Sequence, residues 1–285
     1  MIISFFKQPP MVVAAGIITL VSLWLSFVVF GHTNKLEVVF LDVGQGDATL
    51  ITTPHGRQVL IDAGVDTTIG RSLAKHMPSS DRSLDIVIMT HPDLDHVGGM
   101  MPLLQRYDVK SIIHSGLLAG SPLYQAVAET INNQKVETIS AHAGQRIFLD
   151  KDVYIDVLSP HQNLQSLEPN EYSVVVRLVH GDTSMLLMGD ATKFNEQEIL
   201  GTFGDLIDSD ILKVGHHGSQ TSSSFNFIKT VSPEYSVVSA GCNNRFGHPH
   251  ASVLATLFGV QSQVLDTCND GDIIFQSDGK NWIKK

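Results

Sequence analysis

From Leu36 to the C-terminus the apolar positions come in short bursts. "LEVVFLDV", "ATLITT", "QVLIDAG", "LDIVIMT", "VYIDVLS", "SVVVRLVH", "SMLLMGD", "DILKVGH", "YSVVSAG" and "DIIFQS" are rich in Val and Ile and are bounded by Gly, Asp, Pro or Asn. Runs of this kind predict strands. Between them, "GGMMPLLQRY", "SPLYQAVAETIN", "NEQEILGTF", "SSSFNFIKTV" and "HASVLATLFG" space their apolar residues as helices do. The early strands follow one another like hairpins, as in "ITTPHGRQVLI", where "PHG" makes a tight turn. Later strands alternate with helices. Sheets packed face to face with helices outside, an α/β sandwich of layers, suit that pattern. No linker or low-complexity tract interrupts residues 36–285, which read as one domain.

Residues 1–35 break the rhythm. No charged residue lies between Gln8 and Gly31, and "MVVAAGIITLVSLWLSFVVF" is twenty consecutive, largely apolar positions. At about 1.5 Å per residue this matches the roughly 30 Å of a bilayer core. It is longer than the roughly 7–15 apolar residues of a signal peptide. The "FGHTNKLEV" that ends it offers no small-x-small cleavage site. The expectation is a single-pass anchor over about residues 9–31, holding the chain on the cytoplasmic membrane. Lys7 precedes the span and Lys35 follows it. That bias mildly favours the N-terminus inside and the domain on the outer, periplasmic or extracellular, side.

Composition narrows the function. Of 285 residues 43% are apolar, enough for a large core, and the formal net charge is -10. Gripping nucleic acid through a broad basic face is therefore excluded, because phosphate neutralisation needs clustered Lys and Arg. An enzyme whose metal ions supply positive charge locally is not. Two cysteines, Cys242 and Cys268, make neither a disulfide scaffold nor a thiolate zinc module. In an oxidising compartment they can pair and brace the "GHPH" loop; as two buried thiols they would simply pack. The sequence leaves both open.

Polar clusters sit where the strands end. "LDVGQGDA" brings Asp47, "LIDAG" Asp62, "THPDLDHVGG" two histidines and two aspartates, and "LLMGDA" Asp190. "LKVGHHGSQTSSS" brings His216 and His217, and "SAGCNNRFGHPH" brings His248 and His250. Loops held at strand ends by a rigid sheet are where sites form. In an extended "HPD", His91 and Asp93 point the same way. Asp95 and His96 then follow on a turn opening a helix, with Gly98 and Gly99 allowing close packing. A pair of divalent ions about 3.5–4 Å apart needs a carboxylate between them, and Asp190 is a natural bridge. Nitrogen and oxygen donors suit Zn²⁺ or Mn²⁺.

"THPDLDHVGG" resembles the signature of metallo-β-lactamase-fold hydrolases, whose usual form is His-x-His-x-Asp-His. "FLDVGQGDATLI", "VLIDAG", "THPDLDHVGG", "LLMGD", "LKVGHHGSQTSS" and "NRFGHPH", in this order, are similar to the hydrolase domain of the ComEC family of DNA-uptake channel proteins. The resemblance runs from Leu36 to the C-terminus. It implies an αββα sandwich with a two-metal site along one edge. By motif position it gives the first metal His91 and Asp93, and the second Asp95 and His96, with Asp190 bridging. It places the last ligand histidine on "GHPH", at His248 or else His250. His216 and His217 fall where related nucleases keep a histidine that donates a proton to the leaving group. They and Asp95 are the catalytic candidates, and His217 is also a candidate ligand. Asp62 becomes a carboxylate orienting a ligand histidine. Asp47, Asn170, Ser173, Ser219, Arg245 and His250 complete the candidates for supporting the ligands or meeting substrate.

Two departures from the wider fold stand out. Asp93 replaces a histidine, which makes the first position harder and more anionic and favours Mn²⁺ or Mg²⁺ over Zn²⁺. The third histidine of that position is missing. "NEYSVVVRL", with Asn170 and Ser173, stands there instead, and His142, His161 and His180 lie outside any motif. The resemblance implies a membrane-anchored nuclease or phosphodiesterase with two divalent ions. Its substrate would be DNA, single-stranded at the site, and its task the breakdown of the strand that is not imported. A separate DNA-uptake channel protein is a candidate partner. A hydrolase of another phosphodiester or ester, such as a lipid head group or cell-wall polymer, is the alternative, and a weakened scaffold the third. Finally, Ser222–Ser224 precede "FNFI" and predict a capped helix start able to seat a phosphate, with Lys213 and Arg245 the nearest basic residues.

Overall fold

Successive residues of a strand face opposite sides of its sheet, and the first strand here uses both. In a computed structural model, which describes residues 14–22, 35–116, 121–161 and 168–285, a short helix α1 (residues 14–22) precedes the strands. Strand β1 (Leu36–Phe40) sends Leu36, Val38 and Phe40 into one apolar core and Val39 into another. Both of its faces are therefore covered.

The first sheet continues through β2 (Thr49–Thr52), β3 (Gln58–Ile61), β4 (Ser83–Met89), β5 (Asp108–His114) and β6 (Glu137–Ser140). The second runs through β7 (Arg146–Asp150), β8 (Val153–Ser159), β9 (Val175–His180), β10 (Thr183–Leu187), β11 (Ile211–Lys213), β12 (Tyr235–Val238) and β13 (Gln263–Asp266). Strands β14 (Ile273–Ser277) and β15 (Trp282–Lys284) return to the first. The spatial orders are β15-β14-β1-β2-β3-β4-β5-β6 and β13-β12-β11-β10-β9-β8-β7. Each half opens with antiparallel pairs and goes over to parallel ones, at β3–β4 and at β10–β11. The parallel strands put their carboxyl ends on one edge, where ligand sites of open α/β sheets form.

Phe40, Ile51 and Ile88 meet Ile155, Leu178 and Met185 between the sheets. Truncating such a buried aromatic costs about 3–5 kcal/mol. Outside the first sheet, Leu50, Leu60 and Val87 pack on α2 (Thr68–His76), α4 (Met100–Leu104) and α5 (Pro122–Gln134) through Leu73, Leu103 and Val127. Outside the second, Leu186, Leu212 and Val238 pack on α6 (Lys193–Phe203), α7 (Phe225–Val231) and α8 (Ala251–Gly259) through Ile199, Phe227 and Leu257. One-turn helices α3 (Leu94–Val97) and α9 (Thr267–Asp270) sit on the connections. The result is the four-layered αββα sandwich. Strands β5, β6, β7, β13 and β15 and helix α2 add to the elements expected from the sequence. Strands β6 and β7 are sheet edges, β6 exposed throughout and β7 with Leu149 alone buried, so no apolar run marks them.

Cys242 and Cys268 are paired, with Cα atoms 4.9 Å apart. This ties the loop after β12 to α9. Of the span expected at residues 9–31, only 14–22 fall among the described residues; the rest lies outside them. No helix among the described residues is long and apolar enough to cross a membrane.

Candidate metal centre

The ends of β3, β4, β10, β11 and β12 deliver polar groups to a common edge, four of them after β4 and two after β11. After β4, Thr90 and His91 are buried and α3 begins at Leu94, carrying Asp95 and His96. The turn is tight. Gly46, at φ +94°, passes so close that a Cβ there would collide with the Asp95 carbonyl, while Asp47 N donates to that carbonyl at 3.2 Å. A side chain at Gly99 would meet the backbone of Ala63. After β11, His216 and His217 both adopt left-handed backbone, φ +47° and +53°, a strain that active sites commonly store. It turns two consecutive imidazoles into one site.

Asp190 is the hinge of the arrangement. Its Oδ1 lies 3.2 Å from His96 Nε2 and 3.4 Å from His217 Nε2. His217 Nε2 is also 3.4 Å from Asp95 Oδ2 and 3.3 Å from His96 Nε2. Asp190 Oδ2 lies 3.8 Å from His91 Nε2 and 3.6 Å from His216 Nε2, and His91 Nε2 is 3.7 Å from Asp93 Oδ2. The first four groups form an inner set and the others, with Asp190 shared, an outer set.

Asp62, in left-handed backbone at the end of β3, orients both sets. Its Oδ2 accepts from His96 Nδ1 at 2.7 Å and from the Thr90 hydroxyl at 2.7 Å, and its Oδ1 accepts from Thr90 N at 2.9 Å. With the Thr90 proton on Asp62, His91 Nδ1 donates to the Thr90 oxygen, 3.0 Å away. His217 Nδ1 donates to the Ser239 carbonyl at 2.8 Å. Three histidines therefore have Nδ1 committed and Nε2 lone pairs facing the carboxylates.

Whether these residues fit metal ions can be judged from the donors themselves. Two imidazole lone pairs 3.3 Å apart, with a carboxylate oxygen beside each, repel unless a cation joins them. His91 Nε2 and Asp190 Oδ1 are buried and have no hydrogen-bond partner. Ligands around a tetrahedral ion with bonds of roughly 2.0–2.2 Å stand roughly 3.3–3.6 Å apart, which the inner distances match. Burial pushes the His217 pKa down, but the Asp190 and Asp47 carboxylates outweigh it and raise it to about 10. His96 is raised in the same way, against burial, by Asp190 and Asp62. The carboxylates thus demand positive charge where the lone pairs converge. The residues fit a pair of divalent ions sharing Asp190.

Ligand-capable atoms of Asp47, His96, Asp190 and His217 lie within 4.8 Å of one another. Asp47 nevertheless faces the Nδ1 side of the imidazoles, 3.3 Å from His217 and 4.0 Å from His96. It also holds the Lys213 ammonium in a buried ion pair. It stands behind the inner set rather than in it.

The other candidates fall around this centre. Asn170 Nδ2 is 3.3 Å from His216 Nε2, and Ser173 Oγ accepts from Asp190 N at 3.2 Å. Ser219 Oγ accepts from Thr221 within its own loop. His250 Nδ1 accepts from Gln220 N. His248 meets the cluster ring against ring, centroids 5.7 Å from His216 and 6.4 Å from His217, and its Nδ1 has no partner. Burial and the neighbouring His216, His217 and His250 lower its pKa to about 4. His142, His161 and His180 are hydrogen-bonded elsewhere, to Gln145, Thr202 and Ser277. His216 comes 3.6 Å from Asp190 Oδ2 on the outer side, and its rare backbone conformation gave no signal in the sequence.

Two expectations are corrected. The start of α7 is not a phosphate seat: Ser224 makes no side-chain cap, and the buried Glu196 carboxylate of α6 already accepts from Ser223 N and Ser224 N. Lys213 does not face substrate, because the Asp47 pair buries it. Arg245 is exposed, with its guanidinium over the Phe246 ring.

Two open clefts flank the metal centre. One, of ≈ 560 Å³, is lined by Gln45, Leu94, Asp95, Asn243, Arg245 and Phe246 among others. The other, of ≈ 640 Å³, is lined by Asp93, Asn170, Lys193, Phe194, His216 and Thr221 among others.

The profile of the metallo-beta-lactamase superfamily matches residues 41–241. The chain is 32% identical over 271 residues to ComE operon protein 3 of Bacillus subtilis, covering 89% of this chain and 34% of that protein. It is 32% identical over 224 residues to competence protein ComA of Neisseria gonorrhoeae, covering 77% and 29%. It thus spans about a third of the length of these relatives. Among solved structures, the metallo-beta-lactamase fold protein YhfI from Bacillus subtilis superposes with a TM-score of 0.54 at 14% identity, covering 85% of this chain and 100% of that one. That likeness concerns the fold.

Proposed function

The chain belongs to the metallo-β-lactamase superfamily and is a metal-dependent hydrolase, and from that premise we propose that its substrate is a phosphodiester of single-stranded DNA. The observation that carries this reading is the two-sided Asp190, with the inner donor Asp95 lining one open cleft and the outer donors Asp93 and His216 lining another. A polymer can pass from one cleft to the other across both sets. When bound, two divalent ions supply the electrophilic pull on a phosphate and acidify water.

The chain's own residues do the rest. His96, His217 and Asp95 would hold the inner ion and His91, Asp93 and His216 the outer, with the Asp190 carboxylate available to both sets. Asp62 fixes the tautomer of His96 directly and that of His91 through Thr90, and the Ser239 carbonyl fixes that of His217. Asn170 and Ser173 steady His216 and Asp190. His248, beside the cluster with an uncommitted Nδ1, is placed to exchange a proton with substrate. The carboxylate at Asp93 favours a hard ion, so Mn²⁺ is preferred over Zn²⁺.

Two further parts of the reading concern place. The similar proteins are named for competence, which supports a role in DNA uptake: the breakdown of the strand that is not imported, beside a channel. The Cys242–Cys268 pair supports an oxidising compartment, hence a domain on the outer side of the cytoplasmic membrane, anchored by the apolar run at residues 11–30. The test is elemental analysis of the purified protein together with cleavage of single- and double-stranded DNA under Mn²⁺ or Zn²⁺. Two ions per chain and Mn²⁺-dependent cleavage of single strands are expected. Two ions with turnover of a small phosphodiester but none of DNA would move the substrate to another phosphodiester. A chain that binds no metal ends the proposal.

A further inference from the structure

The loop between β12 and α8 brings more to the centre than His248. Its tip carries Arg245 and Phe246, and the Phe246 ring is 50% exposed. The Arg245 guanidinium lies 4.9 Å from the ring centroid. From Phe246 the rings descend into the site. Phe246 and His248 are 5.6 Å apart and 22° from parallel, and His248 and His217 are 6.4 Å apart and 28° from parallel.

The loop is held firmly for so exposed a segment. Asn244 Nδ2 donates to the Gly241 and His248 carbonyls, and His248 N donates back to Asn244 Oδ1. The disulfide fixes its root. Gln45 couples it to the metal centre, accepting from Gly241 N at 3.2 Å while its amide nitrogen reaches Asp95 Oδ2 at 3.4 Å. The cleft under Phe246 opens directly onto Asp95. A large apolar ring is thus kept half in water at a fixed place beside the reacting centre.

We propose that Phe246, with Arg245, is a stacking platform for an unpaired nucleobase of the strand whose phosphodiester lies at the metal centre. This rests on the phosphodiesterase reading above. With a net charge of -10 the chain as a whole repels a polyanion, so stacking must supply much of the grip. A base on an aromatic ring is held more strongly than an exposed guanidinium on the same ring. The base therefore takes the ring, and Arg245 turns to the adjoining phosphate. A base inside a duplex already has its stacking partners, so the platform selects single strands.

The experiment scans one abasic position along a single-stranded oligonucleotide and compares kcat/KM with the intact strand under Mn²⁺. For the unaltered protein one position costs about tenfold or more, the value of one stacked base. Phe246→Ala removes that discrimination, Phe246→Trp keeps it, and Phe148→Ala, an exposed ring on β7, leaves it as it was. No base-sensitive position, or full discrimination in Phe246→Ala, overturns the platform. Hydrolysis of bis-p-nitrophenyl phosphate separates the two levels. Turnover of that diester without a base-sensitive position removes the platform alone, and turnover of neither substrate removes the phosphodiesterase reading with it.

Discussion

On the Oδ1 side of Asp190 the donors stand 3.2–3.4 Å apart, and His96 and His217 are sealed from solvent with Nδ1 bonded to Asp62 and Ser239. On the Oδ2 side they stand 3.6–3.8 Å apart, Asp93 is 46% exposed and His216 leans on Asn170. The difference separates two tasks that one bridging carboxylate unites. The inner set is preorganised and reaches solvent through Asp95 alone, at the cleft under Phe246, so it suits permanent tenure of an ion. The outer set is wider, wetter and faces a cleft, so it suits an ion whose shell must admit substrate. The hard ligand Asp93 sits on the side where the shell changes. Supporting bonds typically carry about 10–100-fold in metal affinity or activity in such sites, and the inner set has the better support.

Removing the bridge should erase the distinction. Asp190→Asn takes one charge from both sets, and the metal-derived stabilisation at stake is several kcal/mol, so turnover falls roughly a thousandfold or more. Elemental analysis should show both ions weakened. Loss of only one would mean that Asp190 serves one side and the division drawn here is false.

Asp62→Asn should sharpen the comparison. The amide cannot accept from His96 Nδ1, the Thr90 hydroxyl and Thr90 N as the carboxylate does. Metal affinity or activity should fall about 10–100-fold, and the inner ion, oriented directly, should suffer more than the outer, reached through Thr90. Titration of each ion by calorimetry reads the order. A greater loss on the outer side would reverse it.

Asp93 tests the outer set alone. Asp93→Ala should lower outer occupancy and leave the inner ion in place. Asp93→His restores the commoner His-x-His-x-Asp-His pattern. It should shift preference toward Zn²⁺ by about tenfold and reduce Mn²⁺-supported cleavage, since imidazole suits zinc and the harder ion loses an anionic oxygen. Unchanged preference and rate would show that Asp93 does not touch the metal.

How far this division could be read from the sequence depends on what sets each residue's direction. The αββα layers were legible because β1–β4 and β8–β12 are apolar on one or both faces. The edges β6 and β7 were not, since they bury little and depend on their neighbours for pairing. His91, Asp93, Asp95, His96 and Asp190 were legible because a strand end and a one-turn helix fix their directions locally. His216 and His217 were visible as chemistry but not as geometry. Which one faces which side depends on two successive left-handed residues, and "HHG" alone does not announce them, although histidine is among the residues that tolerate that region. Lys213 was misjudged for a related reason. Its partner Asp47 lies far away in sequence, so the burial of the pair is a tertiary fact.

The smallest effect should come from Thr90→Val, and it probes the comparison most finely. Valine keeps the shape and β-branching of threonine at this buried position. What is lost is the hydroxyl that passes the orientation of Asp62 to His91 Nδ1, at 2.7 and 3.0 Å. His96 keeps its own 2.7 Å bond to Asp62. The outer ion should therefore bind less than about tenfold more weakly, a single support being lost, while the inner ion is held as before. Leaving Asp62 one partner short costs about 1–3 kcal/mol of stability, so melting should be recorded beside the metal titration. An equal loss on both sides would show that Thr90 acts by steadying Asp62 as a whole. The inner and outer sets would then share one support, and the contrast between them would rest on solvent exposure alone.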